Sequence, residues 1–353
     1  MQMAPITFLS DSEIRQARLG NPKMRERDLA DKLGISEAQL LSAHLGQGVT
    51  RITPDLDAVM PAVMRLGEVM ALTRNESCVI EKTGAYADYR GGPHAALVVN
   101  EEIDLRMFPG HWKFAFAVEK ALEGGAVRRS LQVFDAAGDA VHKVFLKDSS
   151  IQEEWPGVVA ELEMSEQSSN LRTERRQPTE PAKSDSDKAE RLRAEWDKIT
   201  DTHQFLQMVK KLKMNRLGAY RVAGSPYVRA LKTSAVSDLL EQARDKALPI
   251  MIFVGNRGCI EIHTGPIETV KPMGPWINIL DPRFNLHLRN DHIAEVWQAT
   301  KSTRRGDAVS VEAFDSEGGL ILQIFGVLAE PEAAAKWNAL VEGLPSMKEE
   351  IVA

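Results

Sequence analysis

Cysteine is scarce in this sequence, since only Cys78 and Cys259 occur among 353 residues. They lack the CxxC spacing of a zinc or redox site, so no structural disulfide is expected and the usage suits a reducing compartment. No run of about eighteen apolar residues occurs. The first 16 residues also lack the basic start and apolar run of a secretory signal. The sequence therefore predicts a cytoplasmic protein without a membrane-inserted segment.

A surplus of basic charge is also missing, because 50 acidic residues outnumber 44 lysines and arginines and leave a net charge of -6. This balance argues against a nucleic-acid partner, which usually requires a basic surface. The sequence contains no Gly-rich phosphate loop, GxSxG, HxxxH or HxH motif and no acidic loop of the calcium type. The apolar content of 43% is that of a globular protein, and the length suffices for two domains.

A helix-turn-helix pattern gives the strongest indication of a different function. It lies in "RERDLADKLGISEAQLLSAHLG" (residues 25–46), with Gly34 in the turn and Ser36 at the start of the second helix. A helix that reads DNA offers Arg, Lys, Asn or Gln to the bases, yet residues 36–45 contain no Lys or Arg. The two interpretations are a DNA-binding regulator and a helical hairpin packed on a sheet.

The sequence also contains an internal repeat. "RNESCVIEKTG" (residues 74–84) matches "GNRGCIEIHTG" (residues 255–265) at an offset of 181 residues. Further along, "VFDAAGDAVHKVF" (residues 133–145) matches "AFDSEGGLILQIF" (residues 313–325) at an offset of 180. Matches in register at separated places predict two copies of one fold.

Each copy runs from helices into short alternating segments bounded by turn residues, and then ends in a helix. The predicted fold class is α+β, a tandem duplication in which each half is a large antiparallel β-sheet with helices packed on it. Charge, Ser and Pro dominate residues 163–197, which predicts a linker. The expected domains are an N-terminal repeat with the helical hairpin (1–162), the charged linker (163–197) and a C-terminal repeat (198–353).

The segment "DTHQFLQMVKKLK" (residues 201–213) predicts an amphipathic helix that begins near Thr200 or Asp201. Its apolar face consists of Phe205, Met208, Val209 and Leu212. His203 points away from that face, at the helix end where the backbone dipole keeps an imidazole neutral with a free lone pair. Such a ring could bind a metal, and the alternative is an ordinary surface or capping histidine.

Several stretches carry a family resemblance: "DTHQF", "NEEIDLRMF", "GCIEIHTGP" and "MGPWINILDPRFNLHLR". Together with the duplication, they resemble the HemS/ChuS/PhuS family of cytoplasmic hemin-degrading and haem-trafficking proteins. The resemblance covers essentially the whole chain, and the second-half block is its specific part. It implies two similar halves and one haem, bound between the C-terminal sheet and helices at the junction.

The resemblance also implies residue roles. His203, in the C-terminal repeat, corresponds to the ligand of the haem iron, a usual role for a neutral imidazole. Arg106 corresponds to the group on the opposite face of the porphyrin, and Phe108, on the same strand face as Arg106, would pack on the macrocycle edge. Cations and an amide, suited to carboxylates, are expected at the propionates: Arg216, Lys301 and Gln323.

The function implied is haem uptake and iron acquisition. The protein would accept haem from an importer and pass it to a haem oxygenase, or open the ring itself as a monooxygenase. Ring opening would need oxygen and an external reductant, because the sequence has no flavin or nicotinamide motif. The alternatives are a regulator using the helix-turn-helix segment, haem-responsive or haem-independent, and a duplicated scaffold without a ligand. One haem per chain is expected, since Pro22 occupies the position that matches His203.

Overall fold

The computed structural model describes residues 9–122, 124–304, 306–327 and 331–347, so the ends of the predicted first and last domains lie outside the described residues. The described chain forms two compact units. The first contains residues 9–73, 83–177 and 256–260. The second contains residues 74–82, 178–255 and 261–347, apart from the gaps given above.

Ten α-helices occur among the described residues: α1 (Asp11–Gly20), α2 (Glu26–Leu33), α3 (Glu37–Ser42), α4 (Leu56–Arg65), α5 (Trp155–Leu162), α6 (Ala189–Trp196), α7 (Gln204–Lys211), α8 (Arg216–Ala223), α9 (Ala235–Asp245) and α10 (Pro331–Glu342). Short 3₁₀ helices occupy Pro109–His111, Gln152–Glu154, Ser186–Lys188 and Asn290–His292. Ser10 and Ser36 begin α1 and α3 with capping boxes, in which side chains satisfy the first backbone N–H groups.

The described residues also form eighteen strands: β1 (Val49–Ile52), β2 (Glu68–Arg74), β3 (Cys78–Ala85), β4 (Tyr89–Arg90), β5 (Ala96–Val99), β6 (Asp104–Met107), β7 (Phe114–Ala121), β8 (Val127–Phe134), β9 (Ala140–Leu146), β10 (Val228–Leu231), β11 (Ile250–Gly255), β12 (Cys259–Gly265), β13 (Val270–Met273), β14 (Trp276–Asp281), β15 (Phe284–Arg289), β16 (Glu295–Thr303), β17 (Gly306–Phe314) and β18 (Leu320–Gly326).

Two nine-stranded antiparallel sheets result. One has the order β1-β7-β8-β9-β2-β3-β15-β14-β13, and the other has the order β10-β16-β17-β18-β11-β12-β6-β5-β4. The predicted α+β class and the duplication are therefore confirmed. The two orders match strand for strand, so each sheet takes six strands from one sequence repeat and three from the other.

The duplication extends to the strand register. In β8 the pairing with β9 shifts between Val133 and Phe134, and in β17 the pairing with β18 shifts between Ala313 and Phe314. These positions differ by the 180 residues of the sequence repeat. A β-bulge is a specific local geometry, and its recurrence at matched positions shows that both repeats adopt the same backbone.

Helices α6, α7 and α8 form one corner of the second unit. Their apolar residues pack with Phe314 of β17 in one core that includes Leu192, Trp196, Phe205 and Tyr220. Helix α6 falls inside the predicted linker, because Leu192 and Trp196 give this charged segment one apolar face. The four residues of the predicted α7 face are all buried, as expected.

The helix-turn-helix segment forms α2 and α3, with Gly34 in the left-handed conformation between them. Every residue of α3 except Gln39 is buried. Glu37 pairs with Lys143 at 2.6 Å, and the Ala38 N–H donates to the Gly138 carbonyl at 3.2 Å. A recognition helix must insert exposed side chains into a groove, and α3 is instead packed on the protein, as in the hairpin interpretation.

Candidate functional site

His203 lies directly before α7, with its side chain 91% exposed. The burial of Phe205, Met208 and Val209 fixes the orientation of α7, so the residue that precedes the helix faces solvent. The helix begins slightly later than the sequence predicts. Its N-cap is His203 itself rather than Thr200 or Asp201, because Asp201 forms a turn that delays the helical conformation.

Asp201 holds His203 by two hydrogen bonds. Its Oδ1 accepts from the His203 backbone N–H at 2.8 Å and from the imidazole Nδ1 at 2.7 Å. These two hydrogen bonds lower the pKa of Asp201, which is therefore an acceptor-only carboxylate. Nδ1 must then carry the hydrogen of a neutral ring, and the lone pair remains on Nε2. The arrangement presents one metal-binding nitrogen to solvent.

Arg216 and Lys301 come together on a carboxylate that sequence reasoning missed. The Arg216 guanidinium Nη1 donates to Glu312 Oε2 at 2.7 Å, and Lys301 Nζ donates to Glu312 Oε1 at 2.9 Å. Lys301 Nζ also donates to Tyr220 Oη at 2.7 Å. The Tyr220 and Ser310 hydroxyls both donate to Glu312 Oε1 at 2.8 Å. We call these five residues the Glu312 cluster.

The Glu312 cluster holds two cations and one carboxylate away from water. Burial alone would raise the pKa of Glu312, but the charges of Arg216 and Lys301 lower it well below its usual range. Burial lowers the pKa of Lys301 to about 8, against the opposing charge of Glu312. At neutral pH the cluster therefore carries a net charge of about +1. A buried surplus of positive charge favours an additional anion.

Phe205 connects the Glu312 cluster to the helix that follows His203. Lys301 Nζ lies 4.8 Å and Arg216 Cζ 5.8 Å from the centroid of the Phe205 ring. Trp196 packs edge-on against the same ring, with centroids 4.7 Å apart. Phe205 thus sits between cations and aromatic rings, an arrangement that stabilises the start of α7.

Gln323 lies on β18 directly opposite Glu312 of β17. Cross-strand neighbours project to the same face of a sheet, so Gln323 shares the sheet face of Glu312. The three residues expected at the propionates are therefore grouped around one carboxylate. Gln323 is half-buried, whereas Lys301 is buried.

Arg106 and Phe108 lie in the first unit. Arg106, on β6, forms an ion pair with Asp104 and donates to the Leu105 carbonyl at 3.1 Å. Phe108 follows the strand, and its N–H donates to the Gly258 carbonyl at 2.9 Å. Both side chains are half-buried, and Met107 between them is fully buried, which is the alternation of a strand with one covered face.

The sequence contained a signal for Glu312 that the repeat comparison could have used. Glu312 is an acidic residue within the apolar strand "AVSVEAF", and the matching residue of the first repeat is Gln132. Tyr220 likewise corresponds to Gln39. The first repeat keeps a lysine at the position of Lys301, but Lys120 pairs with Glu26 at 3.0 Å. The cluster is thus specific to the second repeat.

Within the part of the chain that the structure describes, no group of three or more His, Cys, Asp or Glu side chains could hold a metal ion. No described helix combines the length and apolar character needed to cross a bilayer. Both cysteines are buried free thiols. His203 therefore offers a single protein ligand, which suits an iron whose other ligands come from a porphyrin.

The sequence model of the haemin-degrading HemS/ChuX domain matches residues 34–162 and 213–344. The chain belongs to the HemS family. Both repeats are matched, in agreement with the duplicated fold. The hemin transport protein HemS of Yersinia enterocolitica is 38% identical over 319 residues, covering 89% of this chain and 91% of that protein.

Solved structures of similar proteins have the same fold. Holo-PhuS, a haem-binding protein from Pseudomonas aeruginosa, is 39% identical and superposes with a TM-score of 0.90 over 96% of this chain and 100% of its own. The haem-degrading enzyme ChuS of Escherichia coli O157:H7 is 32% identical and gives a TM-score of 0.85 over 94% of this chain and 97% of its own. The HemS family thus includes proteins named for haem transport, binding and degradation.

Proposed function

We propose that this protein binds one haem, with His203 as the iron ligand through Nε2. The observation that carries the proposal is the Asp201–His203 hydrogen bond of 2.7 Å, which leaves Nε2 as the free lone pair of an exposed ring. A neutral imidazole is the commonest protein ligand of haem iron. The names of the HemS relatives support the same ligand.

The surroundings of His203 fit the rest of a haem. Leu206 lies three residues further along α7, on the same side of the helix, and is 52% exposed, so it offers an apolar surface next to the iron ligand. Arg216 uses Nη1 on Glu312, and a guanidinium has five N–H donors. We assign the propionates to Arg216, Lys301 and Gln323, where the surplus positive charge of the Glu312 cluster favours a carboxylate. Arg106 and Phe108 would contact the opposite face and the macrocycle edge.

The biological role that we propose is haem handling in iron acquisition within the cytoplasm. The protein would take haem from an importer and deliver it to a haem oxygenase. Bound haem supplies the redox-active iron on which oxidative ring opening depends, and this chain's own residues would bind and orient it. Ring opening by this protein would require an external reductant. The name of ChuS as a degrading enzyme supports this second activity in the HemS family.

Titration of the purified apoprotein with hemin, followed by absorbance, tests the proposal. We expect a Soret band that saturates at one equivalent. Addition of an electron donor under air, with catalase present, then separates the two fates. A stable complex that transfers haem to an added haem oxygenase supports transport, whereas bleaching to a bilin spectrum supports ring opening. Absence of a saturable Soret band would contradict haem binding itself.

A further inference from the structure

The turn that carries His203 is fixed from several sides. Beyond the two bonds to Asp201, the Thr200 N–H donates to Gln204 Oε1 at 2.9 Å. The Arg304 N–H donates to the Thr200 carbonyl at 3.2 Å, which ties the β16–β17 hairpin to the same turn. The carboxylate of Asp201 is thus held against the imidazole by the backbone geometry rather than by a chance side-chain contact.

We propose that Asp201 is a positioning residue that makes His203 a stronger electron donor and favours the ferric state of a bound haem iron. The inference rests on the proposed function, because it concerns the same iron ligand. It extends that function by assigning control of the iron oxidation state to a named side chain outside the coordination sphere.

The physical argument follows from the geometry. A carboxylate that accepts a hydrogen bond from the non-ligating nitrogen of a metal-bound imidazole fixes the ring orientation and raises the basicity of the ligand. Hydrogen bonding to an axial ligand is one of the levers by which a protein sets the potential of haem iron. A more basic imidazole stabilises Fe(III) relative to Fe(II) and lowers the reduction potential. Such a site suits transport of ferric haem and resists reduction, which must precede ring opening.

Three variants isolate the charge of Asp201. Asp201→Asn keeps the shape and an acceptor oxygen but removes the negative charge. Asp201→Glu keeps the charge and serves as the conservative rescue. Asp197→Asn is the matched control, because Asp197 lies at the end of α6 and accepts from Tyr227 Oη at 2.7 Å.

The primary experiment is a spectroelectrochemical titration of the hemin-loaded full-length chain. For Asp201→Asn we expect the ratio of ferric to ferrous haem affinity to fall at least about tenfold, as for other partners of metal ligands. This fall corresponds to a reduction potential that rises by about 59 mV for one electron. The iron–histidine stretching frequency of the ferrous protein should decrease in parallel. Asp201→Glu should restore both values toward those of the parent, and Asp197→Asn should leave both unchanged.

A second measurement does not require haem. Nitrogen-15 NMR of the apoprotein should show a neutral His203 ring with the hydrogen on Nδ1, and Asp201→Asn should mix the two tautomers. A parent ring protonated on Nε2 would overturn the inference, as would an Asp201→Asn protein that binds hemin through His203 with the parental potential and stretching frequency. If His203→Ala leaves hemin binding unchanged in the parent, the proposed function fails as well, so the two failures are distinguishable.

Discussion

Glu312 stabilises two cations that burial would otherwise penalise. Its carboxylate accepts from Arg216 and Lys301, and its side chain is completely buried. Removal of one member of a buried ion pair is costly because the remaining charge has no compensation. The stability of the α6–α8 corner should therefore depend on this side chain.

We expect Glu312→Gln to lower the free energy of unfolding by about 3–5 kcal/mol, since it leaves Arg216 and Lys301 without a counter-charge. Urea denaturation measures the loss. Glu295→Gln is a suitable control, because Glu295 pairs with Arg221 near the surface. That control should cost less than about 1 kcal/mol. Equal losses in the two variants would contradict the assigned role of Glu312.

Two buried histidines predict a stability that falls in acid. His142 bonds Thr73 at 2.9 Å and Tyr86 at 2.6 Å, and burial lowers its pKa to about 3. Burial, reinforced by the charge of Lys82, also lowers the pKa of His263 to about 3. An unfolded histidine titrates near about 6.5. Below that pH the unfolded chain binds more protons than the folded protein, so stability is complete above pH 6.5 and declines toward pH 3.

Each histidine should contribute a slope of about 1.4 kcal/mol per pH unit in the middle of this window. Urea unfolding between pH 7.5 and 4.5 measures the total slope. His142→Leu introduces the residue at the matching position of the second repeat, Leu322, and should remove about one proton from the linkage. An unchanged slope in this variant would show that His142 is not the titrating group.

The residues expected at the iron and the propionates came from the resemblance, whereas their mutual arrangement did not. Periodicity in the α7 sequence was enough to point His203 outward, because it depends only on neighbours along the helix. The partnership of Lys301 with Glu312 is a contact between adjacent strands, and that of Arg216 with Glu312 joins a helix to a sheet. Such long-range pairs have no periodic signature, so a single sequence could not supply them.

Helix α8 depends on a glycine for its packing. A Cβ added to Gly218 would lie 1.8 Å from the carbonyl oxygen of Lys183, so the chain segment that precedes α6 passes directly over the helix. Asn215 holds the same segment, since its Oδ1 accepts from the Lys183 N–H at 2.9 Å. This part of the predicted linker is therefore attached to the element that carries Arg216.

We expect Gly218→Ala to destabilise the protein by about 1–3 kcal/mol, because a methyl group must displace backbone atoms. Gly157→Ala is the matched control. Gly157 lies in α5 with open space around its Cα, so alanine should be neutral or gain up to about 1 kcal/mol from helix propensity. Thermal unfolding and proteolysis of residues 180–184 report the two effects. A Gly218→Ala protein as stable and protease-resistant as the control would contradict this packing.

Elements with a local pattern were predictable, and elements that depend on distant packing were not. The capping box at Ser36 and the Gly34 turn marked α3 from sequence alone. Helix α6 was included in the linker because its composition is mostly charged. Its two buried residues, Leu192 and Trp196, acquire their role only from the core formed with α7 and α8.

The duplication was visible in the sequence, but the sharing of strands was not. Repeat matching compares one segment with another and predicts two similar halves. It does not reveal that β13, β14 and β15 belong to the sheet that begins with β1, because that order depends on strand pairing over long sequence distances. Differences between the repeats carry the functional information, since only the second has the Glu312 cluster and His203.

Haem stoichiometry follows from that asymmetry. Pro22 occupies the position matching His203, and the counterpart of Arg106 is His287. We therefore expect one hemin per chain, bound through His203.

The most direct test compares hemin titrations of the parent protein, His203→Ala and the exposed-histidine control His94→Ala. The account predicts that His203→Ala shifts the Soret band and weakens hemin binding at least about a hundredfold, or about 2.7 kcal/mol, while His94→Ala matches the parent. Parental affinity and an unshifted Soret band in His203→Ala would contradict the assignment of His203 as the iron ligand.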